Sequence, residues 1–468
     1  MKNQILFFYF FILSLLFLNT GCKKIQGLSK GNLSFSLDTI VFDTVFTTIG
    51  STTKQFKIYN NDNKTVSIDE IELMGGTNSP FKLNLDGTAG KIFSNVKIEG
   101  RDSLFTFLEV KLKVNNQTNP MVIRDSIRFR TNGKDQYIQL VVWGQDMYYH
   151  YSRLTPGKQE FDLNEGTWSN DKPHLIYGAA FIDEGKTLNI QAGTKVYLHK
   201  NALLYNYKGS LNINGELNNE VIFQGDRLES EYDNISGQYY GIYFDSARPS
   251  SINYAIIKNG TTGIHLFSNN ETNTNIYTLK VTNTKIYNNI SNGILIYSGA
   301  SVFAENCVIS QNGGFGLLVL LGGDFNLNHC DILGYNSASK NQAVGIINHF
   351  NINGVTNVGS IYQGIIRNSV IYGNLTAEIA FDTINMAGVT LNFDIQRCLI
   401  KKETIGTDPF YKNGNIWNND PLFNNISKQK FTFVNASPLK GSADDNFPTL
   451  TGKTIEGLNF SPSNIGAY

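Results

Sequence analysis

The chain has 468 residues, with 39 Lys plus Arg set against 39 Asp plus Glu. This balance leaves no net field to draw it onto nucleic acid or an anionic surface, and the length is enough for two or three domains with a large core. The 43 glycines and 10 prolines suit a turn-rich β protein, and no helical heptad pattern is visible.

Lys2 precedes an apolar run from Ile5 to Leu18, closed by Asn19, Thr20, Gly21 and Cys22. That run is too short for a comfortable membrane span but suits the core of a secretory signal. A small residue followed by Cys resembles the bacterial lipoprotein signal. The resemblance implies that Cys22 is lipidated, becomes the mature N-terminus and anchors the chain to the outer membrane of a cell envelope. One position departs from the pattern: Asn19 stands three before the Cys, where a large aliphatic residue is usual, and Leu18 lies one further back. The expected division is a signal at residues 1–21 and a tether at 22–32.

Residues 33–148 have a strand rhythm. Alternating runs at 54–59, 66–73, 105–114, 125–130 and 137–143 are separated by turn clusters at 60–64, 75–78 and 131–134. About seven short strands with regular turns predict an antiparallel β-sandwich. The runs at 56–60, 81–83 and 125–132 resemble immunoglobulin-like domains of the hydin type, which implies a spacer or adhesion module. No catalytic constellation stands out in this segment.

Beyond it, three of the four cysteines share one slot in a degenerate repeat: Cys307, Cys330 and Cys398 each stand two residues before an isoleucine. Tyr254, Thr284 and Ser369 take the same slot before Ile256, Ile286 and Ile371. The isoleucines are spaced by 30, 23, 23, 39 and 29 residues. Asparagines follow at 259, 289, 312 and 374. A Gly-aliphatic marker recurs at Gly241, Gly263, Gly293, Gly316 and Gly345. A period in the low twenties, stretched by insertions, marks a solenoid. Period-two alternation then puts the Cys/Thr/Ser slot and the Ile on one inner face. Asn suits the corners, because it tolerates left-handed backbone. From about Leu188 to Ile400 the chain resembles the right-handed parallel β-helix repeat family. The expected fold is therefore all-β, a right-handed parallel β-helix (pectate-lyase-like solenoid) at residues 149–440 preceded by the immunoglobulin-like sandwich. With Cys22 carrying lipid, an odd number of cysteines is left. Parallel inward side chains suit a disulfide poorly, so buried free thiols are expected.

Enzymes on such scaffolds typically cleave acidic polysaccharides, with a basic residue abstracting a proton or paired carboxylates hydrolysing the bond. Their groups must face outward on neighbouring coils. The outward column before each Ile reads Ala255, Lys285, Val308, Asp331, Val370 and Leu399, and holds no two adjacent acids. The candidate catalytic residues are Asp245, Arg248, His265, Lys285, His329 and Asp331. The candidate ligand-binding residues are Tyr239, Tyr240, Tyr243, Tyr287 and Tyr372, because aromatic rings and phenol hydroxyls suit sugars. The charged stretch carrying Asp226, Glu229, Glu231 and Asp233 is the candidate Ca²⁺ site. No other cofactor is expected.

After Ile400 the ladder fades. Residues 441–468 are expected to cap the solenoid, whose open end would otherwise expose strand edges and an apolar bore. The sequence thus predicts a lipid-anchored envelope protein that binds a polysaccharide or an envelope protein and no nucleic acid. A polysaccharide lyase or glycoside hydrolase and a purely structural component stand as alternatives.

Overall fold

A computed structural model describes residues 27–114, 120–155, 158–268, 276–336, 340–403, 408–447, 449–459 and 463–468. The signal run and Cys22 lie outside the described residues. The chain divides into two compact units between Asp146 and Met147.

The first unit is an immunoglobulin-like β-sandwich of two five-stranded sheets. One sheet pairs Ser34–Phe35, Lys54–Tyr59, Ser103–Val110, Phe81–Leu85 and Thr88–Gly90 in that order. The other pairs Thr39–Phe46, Lys134–Gln145, Met121–Thr131, Val66–Leu73 and Ile92–Ile98. All pairings are antiparallel except that of Thr39–Phe46 with Lys134–Gln145, which is parallel. Alternate residues of both sheets meet in the core, where Ile58, Ile68, Phe81, Leu108, Phe129 and Leu140 are fully or almost fully buried. Ten strands form where about seven were expected, because short edge strands such as Thr88–Gly90 carry too few residues to show a period.

The second unit is a parallel β-helix. Three long sheets of 11, 9 and 9 strands run its length, all parallel, and each coil contributes one strand to each sheet. The 11-stranded sheet contains the predicted ladder: Ile257, Ile286, Ile309, Ile332, Ile371 and Ile400 stack inward in register. Two positions earlier the inward slot reads Ala255, Thr284, Cys307, Cys330, Ser369 and Cys398, all buried. The three cysteines are free, and each thiol sits within weak hydrogen-bonding distance of backbone carbonyls, Cys307 at 3.3 Å from Glu305 and Cys398 at 3.2 Å from Gln396.

Two markers are corrected. Lys285 pairs with Ile256 and Ile286 with Ile257, so Ala255, not Tyr254, fills the inner slot. Tyr254 instead takes the corner column of Asn283, Asn306, His329, Asn368 and Arg397, all with φ between 44° and 61°. A single left-handed residue turns the chain from the third sheet into the first, which is why asparagine dominates there. A tyrosine in that conformation gave no sequence signal. The Gly345 marker is two residues out of register, since Leu317 pairs with Val344.

The corner asparagines bond between coils: Asn306 Nδ2 donates to Asn283 Oδ1 at 2.6 Å. On a second corner Asn289 Nδ2 donates to Asn312 Oδ1 at 2.9 Å. Such ladders satisfy polar groups that the stack removes from water.

At the first coil, His150 and His174 lie side by side against Trp168, with ring centroids 4.3 and 4.5 Å away. His174 Nε2 donates to the Ser169 carbonyl at 3.0 Å, leaving Nδ1 to accept from His150 Nε2 at 3.0 Å. His150 Nδ1 then faces Asp162 at 2.9 Å. Burial lowers the His174 pKa to about 4 and keeps that ring neutral.

The far end is covered by Phe410, Tyr411 and Trp417, which pack on the core together with Phe381. The segment 441–468 was expected there; its described residues lie instead along the outside of the 11-stranded sheet. Leu439, Ile455, Ile465 and Ala467 bury the outward-facing Val308, Leu333, Val370 and Leu399. The tail binds the corner column. Asn306 Nδ2 donates to the Lys453 carbonyl at 2.8 Å, and Asn368 Oδ1 accepts from Asp444 N–H at 2.9 Å. The buried carboxylate of Glu305 accepts the backbone N–H groups of Leu450 and Thr451, each at 2.8 Å.

Candidate functional site

The outer face of one nine-stranded sheet gathers several of the candidates. Its register aligns Phe181, Tyr205, Tyr243 and His265 on four consecutive coils, all pointing away from the core. On the first coil Leu163 is the register partner of Phe181, and the Phe161 ring, just before that strand, packs on Phe181 and lengthens the row of rings. Successive centroids, from Phe161 to His265, are 4.8, 5.0, 4.9 and 4.4 Å apart, as the spacing of hydrogen-bonded strands dictates. Phe161 is 44% exposed and the others are half-buried. The Tyr205 and Tyr243 planes meet at 71°, so the contact changes there from face-to-face to edge-to-face.

The polar fringe of this column is ordered. Tyr240 hydroxyl and His265 Nδ1 share a 2.7 Å hydrogen bond. Burial lowers the His265 pKa to about 4, so the imidazole is neutral and adds ring surface to the column without charge. Asp245 accepts the Tyr205 hydroxyl at 2.5 Å and the Ser246 hydroxyl at 3.1 Å. Burial pushes the Tyr243 phenol up to about 12, with the Asp245 charge adding to it. These phenols stay protonated donors at physiological pH.

The remaining candidates are dispersed. Tyr239 is a core residue, 1% exposed, whose hydroxyl donates to the Lys258 carbonyl at 2.9 Å. It belongs to the insertion between coils, and its ring packs into the core, out of reach of the sugar it was expected to meet. Tyr287 and Tyr372 do point outward, on the 11-stranded sheet. Tyr287 is largely buried, with the Asp233 charge close enough to raise its pKa further, while Tyr372 packs against the C-terminal tail. Arg248 sits on a corner, Nη1 donating to the Gly185 carbonyl at 3.2 Å. Lys285 is on a different sheet from Asp245 and His265.

His329 and Asp331 face outward from the coil, as expected, yet the tail covers both, and each is 1% exposed. His329 Nδ1 donates to the Asn464 carbonyl at 3.1 Å and Nε2 accepts from Asn368 Nδ2 at 3.2 Å. Burial drives the His329 pKa down to about 4 and the Asp331 pKa up to about 8. Neither can meet a polymer. The six catalytic candidates are therefore not one constellation.

The proposed Ca²⁺ ligands are also apart. Asp226 pairs with His199 at 2.7 Å, and Glu229 takes the guanidinium of Arg227 at 2.9 Å. Among the described residues no three His, Cys, Asp or Glu side chains converge. Sequence reasoning missed Phe161, Phe181 and Tyr205. They precede the visible ladder, although the run 203–207 alternates cleanly enough to mark Tyr205 and Tyr207 as sharing a face.

The fold and this face define a parallel β-helix protein with an outward aromatic column. No protein family matches the chain, and no characterised protein matches it in sequence. Among solved structures, the catalytic domain of a GH87 alpha-1,3-glucanase in complex with nigerose aligns over 74% of this chain and 81% of its own, at 9% identity and a TM-score of 0.21. A family 123 glycoside hydrolase from Clostridium perfringens aligns over 25% of this chain, which spans only 27% of that hydrolase, at 9% identity and a TM-score of 0.19. The ASH / PapD-like domain of human CEP192 aligns over 27% of this chain and 98% of its own, at 10% identity and a TM-score of 0.16. Scores this low carry no argument about activity.

Proposed function

We propose that this protein is a cell-envelope lipoprotein, anchored through Cys22 to the outer membrane, whose β-helix binds a polysaccharide. The observation that carries the binding is the aromatic column from Phe161 to His265 on consecutive coils. Aromatic rings offer apolar faces and edges to the C–H side of a sugar, and the phenols of Tyr205, Tyr240 and Tyr243 offer hydrogen bonds. The same face supports binding over cleavage. Asp245 is the one acid in its strands from Ala179–Ile182 through Val344–Ile347, so no carboxylate pair of the kind hydrolysis uses stands on adjacent coils there. The sandwich serves as the spacer that a hydin-type module would supply.

The test is retention of the purified protein on a panel of immobilised polysaccharides, with soluble products assayed for new reducing or unsaturated ends. Retention without products, lost on Tyr243→Ala, is the expected result. Product release overturns a binding-only role. Separately, Cys22→Ala is expected to release the protein from the membrane fraction. If it stays membrane-bound, the lipid anchor is wrong.

A further inference from the structure

We infer that the ligand of the aromatic face is an uncharged glycan chain, bound by its interior and lying along the helix axis. This rests on the polysaccharide-binding reading above.

The charge argument comes from the strands themselves. The seven from Ala179–Ile182 to Val344–Ile347 in this sheet contain no Lys or Arg. Recognition of uronate or sulfate groups uses cations, preferably the planar fork of arginine. Three cations at the rim have partners. Lys186 Nζ lies 2.8 Å from Glu165, and Lys208 Nζ lies 3.7 Å from Glu184 and over the Tyr207 ring. Arg248 is turned onto the Gly185 carbonyl. The one formal charge in those seven strands is the carboxylate of Asp245, which repels an anionic chain. His265 adds none, since it is neutral above about pH 4.

The direction follows from the register. The rings succeed one another from coil to coil, so the apolar stripe runs perpendicular to the strands. It continues past His265 as Leu295 and Leu318, their register partners. A stripe that runs on over consecutive coils accommodates a chain interior. A pocket closed at one end, which a terminal sugar would need, is not formed by these residues.

The experiment measures affinity of the full chain for dextran and laminarin, which are neutral, and for polygalacturonate and alginate, which are acidic, at low and high salt. Tyr243→Ala and Phe161→Ala serve as two separate face variants. The expected result is retention by at least one neutral glucan, insensitive to salt and weakened about tenfold or more by each variant. Oligosaccharides of that glucan should gain affinity with length. Salt-sensitive binding of an acidic chain that the variants abolish overturns the uncharged-ligand inference and keeps the face as the site. Affinity independent of length overturns the axial arrangement. Retention that neither variant alters, or no retention at all, overturns the site itself and the inference with it.

Discussion

The Tyr205 hydroxyl reaches diagonally to the Asp245 carboxylate of the neighbouring coil at 2.5 Å, while Asp245 is in register with Tyr207. The bond fixes one ring of the aromatic column against its neighbour, and burial together with this bond raises the Tyr205 pKa. It orders both the apolar and the polar halves of the face.

Tyr205→Phe keeps the ring and removes the bond. Because the pair is half-exposed, the loss should be modest, about 1 kcal/mol of unfolding free energy, read from urea midpoints. Glycan retention should fall severalfold, since Asp245 loses its nearest donor and becomes freer to move. Unchanged retention would show that this ordering does not matter to binding.

The tail makes two opposed pH predictions. Asp331 has a folded pKa raised to about 8 by burial, so its stabilising contribution is full below about pH 4 and is lost as pH rises through 8. His329 has a folded pKa lowered to about 4, so its contribution is full above about 6.5 and is lost as pH falls toward 4. Between those values the slopes of this pair oppose each other and nearly cancel, while His174 and His265, also lowered to about 4, make overall stability rise with pH there. Above about 6.5 it should decline until about pH 8. Asp331→Asn should remove that decline, gaining on the wild type by at most about 1.4 kcal/mol per pH unit. Thermal midpoints from pH 4 to 9 check this, and hydrogen exchange in residues 463–468 should locate it.

Gly293→Ala should cost about 1–3 kcal/mol. A Cβ there would come within 2.5 Å of the Ile309 side chain and 2.6 Å of the Gly316 carbonyl, inside the stacked corner. Gly354→Ala, at the open hairpin tip with nothing within 4 Å, is strained only by its φ of 82° and should cost less. Denaturation of both variants checks the ranking.

The thiols of Cys307, Cys330 and Cys398 should resist alkylation in the folded protein. Burial raises the Cys398 pKa to about 12 and the Cys330 pKa well above normal, leaving almost no thiolate to react. Peptide mapping after iodoacetamide treatment should find these three modified only once the chain is unfolded. Labelling under native conditions would contradict the inner ladder.

Much of this was readable beforehand for a physical reason: stacked coils repeat one environment, so Cys307 and Cys330, or Ile309 and Ile332, recur at a fixed interval. The reading failed where an unusual residue took a common place, as Tyr254 did at a corner held elsewhere by asparagine. It also failed where two segments far apart in sequence meet. Nothing near Asp331 announces that Ala467 will lie over it.

The amino-acid sequence by itself determined the two β architectures, the inward ladder of isoleucines and cysteines, and which side chains of each repeat turn outward. Alternation within a strand is local and leaves its mark on every coil. Only the tertiary structure decided which outward faces meet solvent. It set the C-terminal tail over His329 and Asp331 and left the column from Phe161 to His265 open, because register between coils and the path of a returning tail depend on non-local packing.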